Sequence, residues 1–93
     1  MSYRFRPHIE QIASLLAAEP NLYLLIVGHT DASGSADYNY DLSKRRAESV
    51  RRMLVVDYGT PPARVIAYGE GENRPLYPDP YNERNRRVEF RQR

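Results

Sequence analysis

The sequence predicts an α/β domain in which two helices pack on a small mixed sheet. Three observations predict it. Residues 22–27 form an apolar run of strand length. Helical periodicities flank that run on both sides. A stretch near the end, residues 85–91, alternates apolar and charged side chains. The order is helix, strand, helix, strand, strand. The chain has 93 residues, enough for one domain around one core and too few for two.

The elements follow in order. Pro7 suits a first helical turn, and Ile9, Ile12, Leu15 and Leu16 then recur at helical spacing. Pro20 pushes Glu19 toward an extended conformation and ends that helix. Leu22-Tyr23-Leu24-Leu25-Ile26-Val27 is apolar on both faces, as an interior strand is, and Gly28 marks its end. Residues 28–41 lack periodicity and read as a loop that turns helical near Tyr38. A helix over roughly 39–57 places Leu42, Val50 and Leu54 on one face, with Ala47 and Met53 beside them. Gly59 suits a left-handed closing residue, and Pro61-Pro62 bars continuation. Val65-Ile66-Ala67-Tyr68 is a short strand, and residues 69–84, rich in Gly, Pro, Asn and Glu, a long loop. In the last strand Val88 and Phe90 point inward, and Arg87, Glu89 and Arg91 outward. The chain opens almost at once on a helix, so a first strand is missing or shortened. The sheet edge left unpaired could then recruit a second copy of the chain.

Composition limits the chemistry. There are no cysteines, which removes disulfides, thiol nucleophiles and cysteine-rich zinc sites. No apolar run approaches the ~20 residues that span a bilayer, and no signal peptide is visible. The chain is therefore cytoplasmic or a piece of a longer exported protein, and it does not insert into a membrane by itself. Net charge is +2, from 14 basic and 12 acidic residues, too balanced to argue for nucleic acid. All but one of the basic residues are Arg, which favours planar, bidentate contact with carboxylate or phosphate.

One residue does not fit a plain core. Leu42, Arg46, Val50 and Leu54 lie four apart along one stripe of the second helix. A charge there is costly unless it is paired or reaches solvent. Asp31 follows the buried strand directly, at the end of the sheet where α/β folds bind ligands. Asn39, near the helix start, can donate and accept. Two readings stand side by side. Arg46 pairs with Asp31 and ties the loop to the helix. Alternatively the two hold opposite charges apart over a pocket for a zwitterion, Asp31 taking an ammonium and Arg46 a carboxylate.

At these residues the sequence resembles a known family. Gly28-His29-Thr30-Asp31, Gly34, Asn39, Leu42-Ser43 and Arg46-Ala47 look like the signature of the OmpA-like C-terminal domain. Arg64-Val65, Gly69-Glu70-Gly71-Glu72, Pro75 and Asn85-Arg86-Arg87-Val88-Glu89 match its second half in order, so the resemblance covers about residues 7–91. It implies a βαβαββ-type fold, a single domain over residues 1–93, a place in the periplasm or cell envelope, and non-covalent binding of peptidoglycan through the diaminopimelate of its stem peptide. Asp31 and Arg46 occupy the two principal ligand positions, and Thr30 and Asn39 supporting ones. One Arg of the Asn85-Arg86-Arg87 group, Arg87 before Arg86, resembles a further carboxylate contact. Family members often carry Gly-Arg shortly before that group, where this chain has Tyr81 and Asn82.

Other readings are weaker. His29 and Asp31 are too few for a three-ligand catalytic zinc, and His29 reads as a strand-end residue that packs or hydrogen bonds. Glu70 and Glu72 could be drawn as an acid–base pair, but Gly-Glu-Gly-Glu-Asn reads as a solvated loop. No nucleophile elbow or phosphate-binding glycine motif is present. The expectation is binding without catalysis, with no metal and no cofactor. The rival outside enzymology is a basic nucleic-acid module using the terminal Arg cluster and eight Tyr, and the third a purely structural or protein-interaction domain.

Overall fold

The computed structural model describes residues 6–72, 78–79 and 87–93. Helix α1 is Arg6–Ala18, strand β1 Leu24–His29, helix α2 Ala36–Arg52, strand β2 Val65–Gly71 and strand β3 Arg87–Gln92. β1 lies in the middle of the order β2–β1–β3, parallel to β2 and antiparallel to β3. This is the expected two-helix, mixed-sheet α/β architecture. Residues 1–5, where a first strand would begin, lie outside the described residues.

The core is one layer between helices and sheet. Ile9 and Leu16 of α1, Leu24 and Ile26 of β1, Ala47 and Val50 of α2, then Leu54 and Val65, are all buried. Val88 and Phe90 pack against it from β3, as their alternation predicts. Leu15, expected on the inner face of α1, is 45 % exposed, because Ile9, Ile12 and Leu16 already fill that stripe.

Two boundaries differ from expectation for one physical reason. β1 continues through Gly28 to His29, and β2 through Gly69 to Gly71, pairing Gly28 with Gly69 and His29 with Gly71 across a bulge. The glycines do not end the strands; they admit the helix. A Cβ on Gly28 would collide with the Ser43 carbonyl oxygen, and one on Gly69 would stand 2.6 Å from Ser43 Oγ. α2 thus meets the sheet backbone to backbone.

α2 begins earlier than the periodicity suggests, because Ser35 caps it: its Oγ accepts from Tyr38 N–H at 3.2 Å. Beyond Arg52 the chain continues as a π-helical turn, Met53–Asp57. It closes with Thr60 N–H on the Leu54 carbonyl at 2.9 Å and with Gly59 at φ +73°, the left-handed residue its position predicts. Arg64 then donates to the Leu16, Glu19 and Leu22 carbonyls. It ties the end of α1 to the start of β1.

Candidate functional site

Asp31 sits just past the end of β1 and is 7 % exposed. Its Oδ1 accepts from Ser33 N–H at 3.0 Å, which folds the loop back on itself as short Asp side chains do. Asn39, in the first turns of α2 and buried, donates its amide to the Asp31 carbonyl at 3.3 Å and to Glu72 Oε1 at 3.4 Å. Thr30 N–H donates to the Gly71 carbonyl at 2.8 Å. Thr30, Asp31 and Asn39 are therefore brought together on the end of β1 and the start of α2.

Arg46 is half-buried. The innermost stripe of α2 is Asn39, Ser43, Ala47 and Val50, with Leu54 beyond; Arg46 flanks it, one position off, beside half-buried Leu42. The guanidinium at that flank does not swing out into solvent: its Nη1 is buried. Arg87 opens β3 directly across from His29, one residue from Thr30. Arg86, Tyr81 and Asn82 lie outside the described residues.

Three residues take structural roles that the sequence does not disclose. Ser43 Oγ accepts from Gly71 N–H at 2.9 Å and donates to the Tyr40 carbonyl at 2.7 Å. Together with Gly71 and Thr30 it forms a continuous hydrogen-bonded path from α2 to the loop after β1. Glu72 extends the same junction through Asn39. The spacing of Leu42, Val50 and Leu54 gives no sign of this role for Ser43; only the facing glycines hint at it.

The third is Glu70, read from sequence as part of a solvated loop. The structure corrects this: Glu70 belongs to β2, is half-buried, and joins an ionic cluster on the sheet face away from the helices. His29, 0 % exposed, meets Glu89 Oε1 through Nε2 at 2.8 Å and faces Glu70 Oε2 through Nδ1 at 3.8 Å. Arg91 bridges Glu70 at 3.3 Å and Glu89 at 2.9 Å, and Arg87 Nε reaches Glu89 Oε2 at 3.1 Å. The side chains expected simply to point outward from β3 instead roof over His29. As foreseen for His29, it hydrogen bonds.

The electrostatics follow from that roof. Burial pushes the His29 pKa below 6.5, only partly offset by its hydrogen bond to Glu89. Burial pushes Glu89 upward, but hydrogen bonds from Arg91, His29 and Arg87 outweigh it and hold the carboxyl at about 2. The same Glu89 contact raises Arg91 above its usual value. Glu89 is thus ionised and can only accept, so His29 is the Nε2–H tautomer when neutral. Among the described residues no group of three His, Cys, Asp or Glu could hold a metal ion, and no helix is long and apolar enough to cross a membrane.

An open groove lies elsewhere, along the start of β2 and the end of α2. It is at the opposite end of the strands from Asp31, and the loop after β1 has no share in it.

Comparison with known proteins places the chain in context. The family model described as OmpA family matches residues 4–89. Outer membrane porin F of Pseudomonas aeruginosa is 42 % identical over 84 residues, which cover 87 % of this chain and 24 % of that protein. The peptidoglycan-associated lipoprotein of Legionella pneumophila is 33 % identical over 94 residues, covering 97 % of this chain and 52 % of the relative. In three dimensions the chain is similar to the crystal structure of the peptidoglycan-associated lipoprotein from Burkholderia pseudomallei. The TM-score is 0.85 at 30 % identity, over 97 % of this chain and 78 % of the other. The chain spans between about a quarter and a half of the two curated relatives. Their names are those of outer-membrane and peptidoglycan-associated proteins rather than enzymes.

Proposed function

This chain belongs to the OmpA family, and from that premise we propose that it binds peptidoglycan non-covalently, without catalysis, and anchors an envelope protein to the cell wall from the periplasm. It acts as one domain over residues 1–93 and recognises the diaminopimelate of the stem peptide. Asp31 takes the free ammonium and Arg46 the free carboxylate in bidentate fashion. Thr30 and Asn39 support them, and Arg87, or Arg86 beside it, gives a further carboxylate contact.

The observation that carries this reading is the state of the loop after β1. Asp31 is nearly buried, and beside it Thr30 Oγ1 is buried with no hydrogen-bond partner among the described residues. Unsatisfied buried hydroxyls are rare, and a polar guest at Asp31 gives this one a partner. The Asn39 amide, which holds the Asp31 carbonyl, keeps the loop in shape.

Lysine in the same stem position lacks the second carboxylate and leaves Arg46 without its ligand group. A site built around a polar group discriminates strongly against an analogue that lacks it. Fragment affinity should be weak, about −4 kcal/mol for a millimolar constant, and avidity along the polymer raises retention.

The test is co-sedimentation with purified sacculi, with thermal melts of every variant. Asp31→Ala and Arg46→Ala lose binding, and Arg46→Lys loses it too, because a point charge cannot replace the fork. Removing one partner of a sequestered charge could also cost about 3–5 kcal/mol, so only folded variants count. Full sedimentation of a folded Arg46→Ala protein refutes the assignment.

A further inference from the structure

The groove at the far end of the strands has no part in the ligand loop. It runs along a sheet edge whose backbone groups can be assigned. Among the described residues β2 is bonded on one side only, to β1. Arg93 N–H donates to the Tyr23 carbonyl at 2.9 Å, so Tyr23, Leu25 and Val27 turn their backbone groups toward β3. By strand alternation Leu24, Ile26 and Gly28 turn theirs toward β2. Ile26 stands opposite Ala67, and in a parallel pair it bonds to the residues on either side, Ile66 and Tyr68. Val65 and Ala67 therefore turn their N–H and C=O groups to the free edge. Arg51 Nε takes the Val65 carbonyl at 2.8 Å. Ala67 is next along.

Beside Ala67 lies an open groove of about 960 Å³ between β2 and the end of α2. Its floor is apolar, with Val56 and Ile66 exposed by 69 % and 38 %. The π-helical turn Met53–Asp57 carries Val56, and such wider turns recur at functional positions. Arg45, Arg51, Arg52 and Arg93 line it against Glu48 alone. Among the described residues, two of these cations are held only by exposed contacts: Arg45 pairs with Asp41 at 2.9 Å, of small worth, and Arg93 lies over the Tyr23 ring at 5.7 Å and donates to the Ala63 carbonyl at 3.3 Å.

We propose that this groove docks an extended acidic segment of another protein. The segment adds a strand to the free edge of β2 through Ala67, seats aliphatic side chains on Val56 and Ile66, and sets its carboxylates against Arg45, Arg52 and Arg93. Strand addition draws affinity from backbone hydrogen bonds and specificity from alternate side chains. A nucleic acid would answer the arginines but not Ala67 or the apolar floor. The site is at the opposite end from Asp31, so it stands or falls apart from peptidoglycan binding.

Fluorescence anisotropy with a labelled (Glu-Val)3 peptide tests it. Three controls go with that probe: (Lys-Val)3, a (Glu-Val)3 peptide N-methylated on alternate backbone nitrogens, and a single-stranded hexanucleotide. The acidic peptide binds, and each control binds at least about ten-fold more weakly, that is by about 1.4 kcal/mol. Amide shifts in the bound protein gather at Val56, Ile66 and Ala67. Arg52→Glu with Arg93→Glu, both exposed positions, lowers peptide affinity about ten-fold or more while melting temperature and sacculus binding stay as they were. No binding of the acidic peptide, equal binding of the N-methylated peptide or the hexanucleotide, or shifts centred elsewhere overturns the proposal.

Discussion

On the face of β1 that meets the helices, Gly28 has no side chain, and α2 approaches until a single methyl would collide with the Ser43 carbonyl. One residue on, on the opposite face, His29 is buried among Glu70, Glu89, Arg87 and Arg91. The first face is held by close packing and by the Ser43 hydroxyl, which accepts from Gly71 N–H. The second is held by charge. Both converge on Thr30 and Asp31, which follow directly. The loop is therefore positioned twice, by a contact that tolerates no added volume and by one that depends on ionisation. Perturbing the two faces should give different signatures: steric and independent of pH on one, titratable on the other.

The largest effect belongs to the packed face. Gly28→Ala forces α2 away from the sheet and should cost about 3 kcal/mol or more, at the upper end for overpacking. Urea unfolding measures it; a loss below about 1 kcal/mol would mean that α2 is not pinned at Ser43. Ser43→Ala removes the acceptor for a buried N–H of Gly71 and should cost about 1–3 kcal/mol, with faster amide exchange at Gly71 as its local mark.

The charged face gives the smaller, pH-dependent effect. The folded His29 pKa lies below 6.5, so an unfolded chain takes the proton first. Stability is whole above that pH and falls as pH drops through and below it. Glu89 is lowered from 4.5 to about 2, so its contribution is whole above 4.5 and is lost toward 2. In a series of melting temperatures from pH 7.5 to 5.0, wild type should decline, while His29→Gln, whose amide can still donate to Glu89, should be flatter. Parallel curves for the two proteins would remove His29 as the cause.

These faces also separate what the sequence discloses from what it conceals. Apolar periodicity marks Ile9, Leu16, Ile26, Val50 and Leu54, because burial of such side chains is local information. Asp31 and Arg46 stand out as charges beside apolar runs. Gly28 and Gly69 mislead, since a glycine that ends a strand and one that admits a helix look alike until the partner is known. Glu70 misleads in the same way: Gly-Glu-Gly-Glu has the composition of a loop, and only the pairing of Gly69 and Gly71 with distant Gly28 and His29 carries the strand through it. The shift of Arg46 to the flank of α2 is likewise invisible to a four-residue spacing, which marks a stripe but not which stripe is innermost.

The most direct test of the account is a heteronuclear NMR titration of the folded protein with a stem peptide carrying diaminopimelate, alongside the same peptide carrying lysine. The account predicts saturable shifts at Thr30, Asp31, Asn39 and Arg46 with the first peptide and none of that pattern with the second. Equal shifts with both peptides, or no response at those four residues, would contradict it.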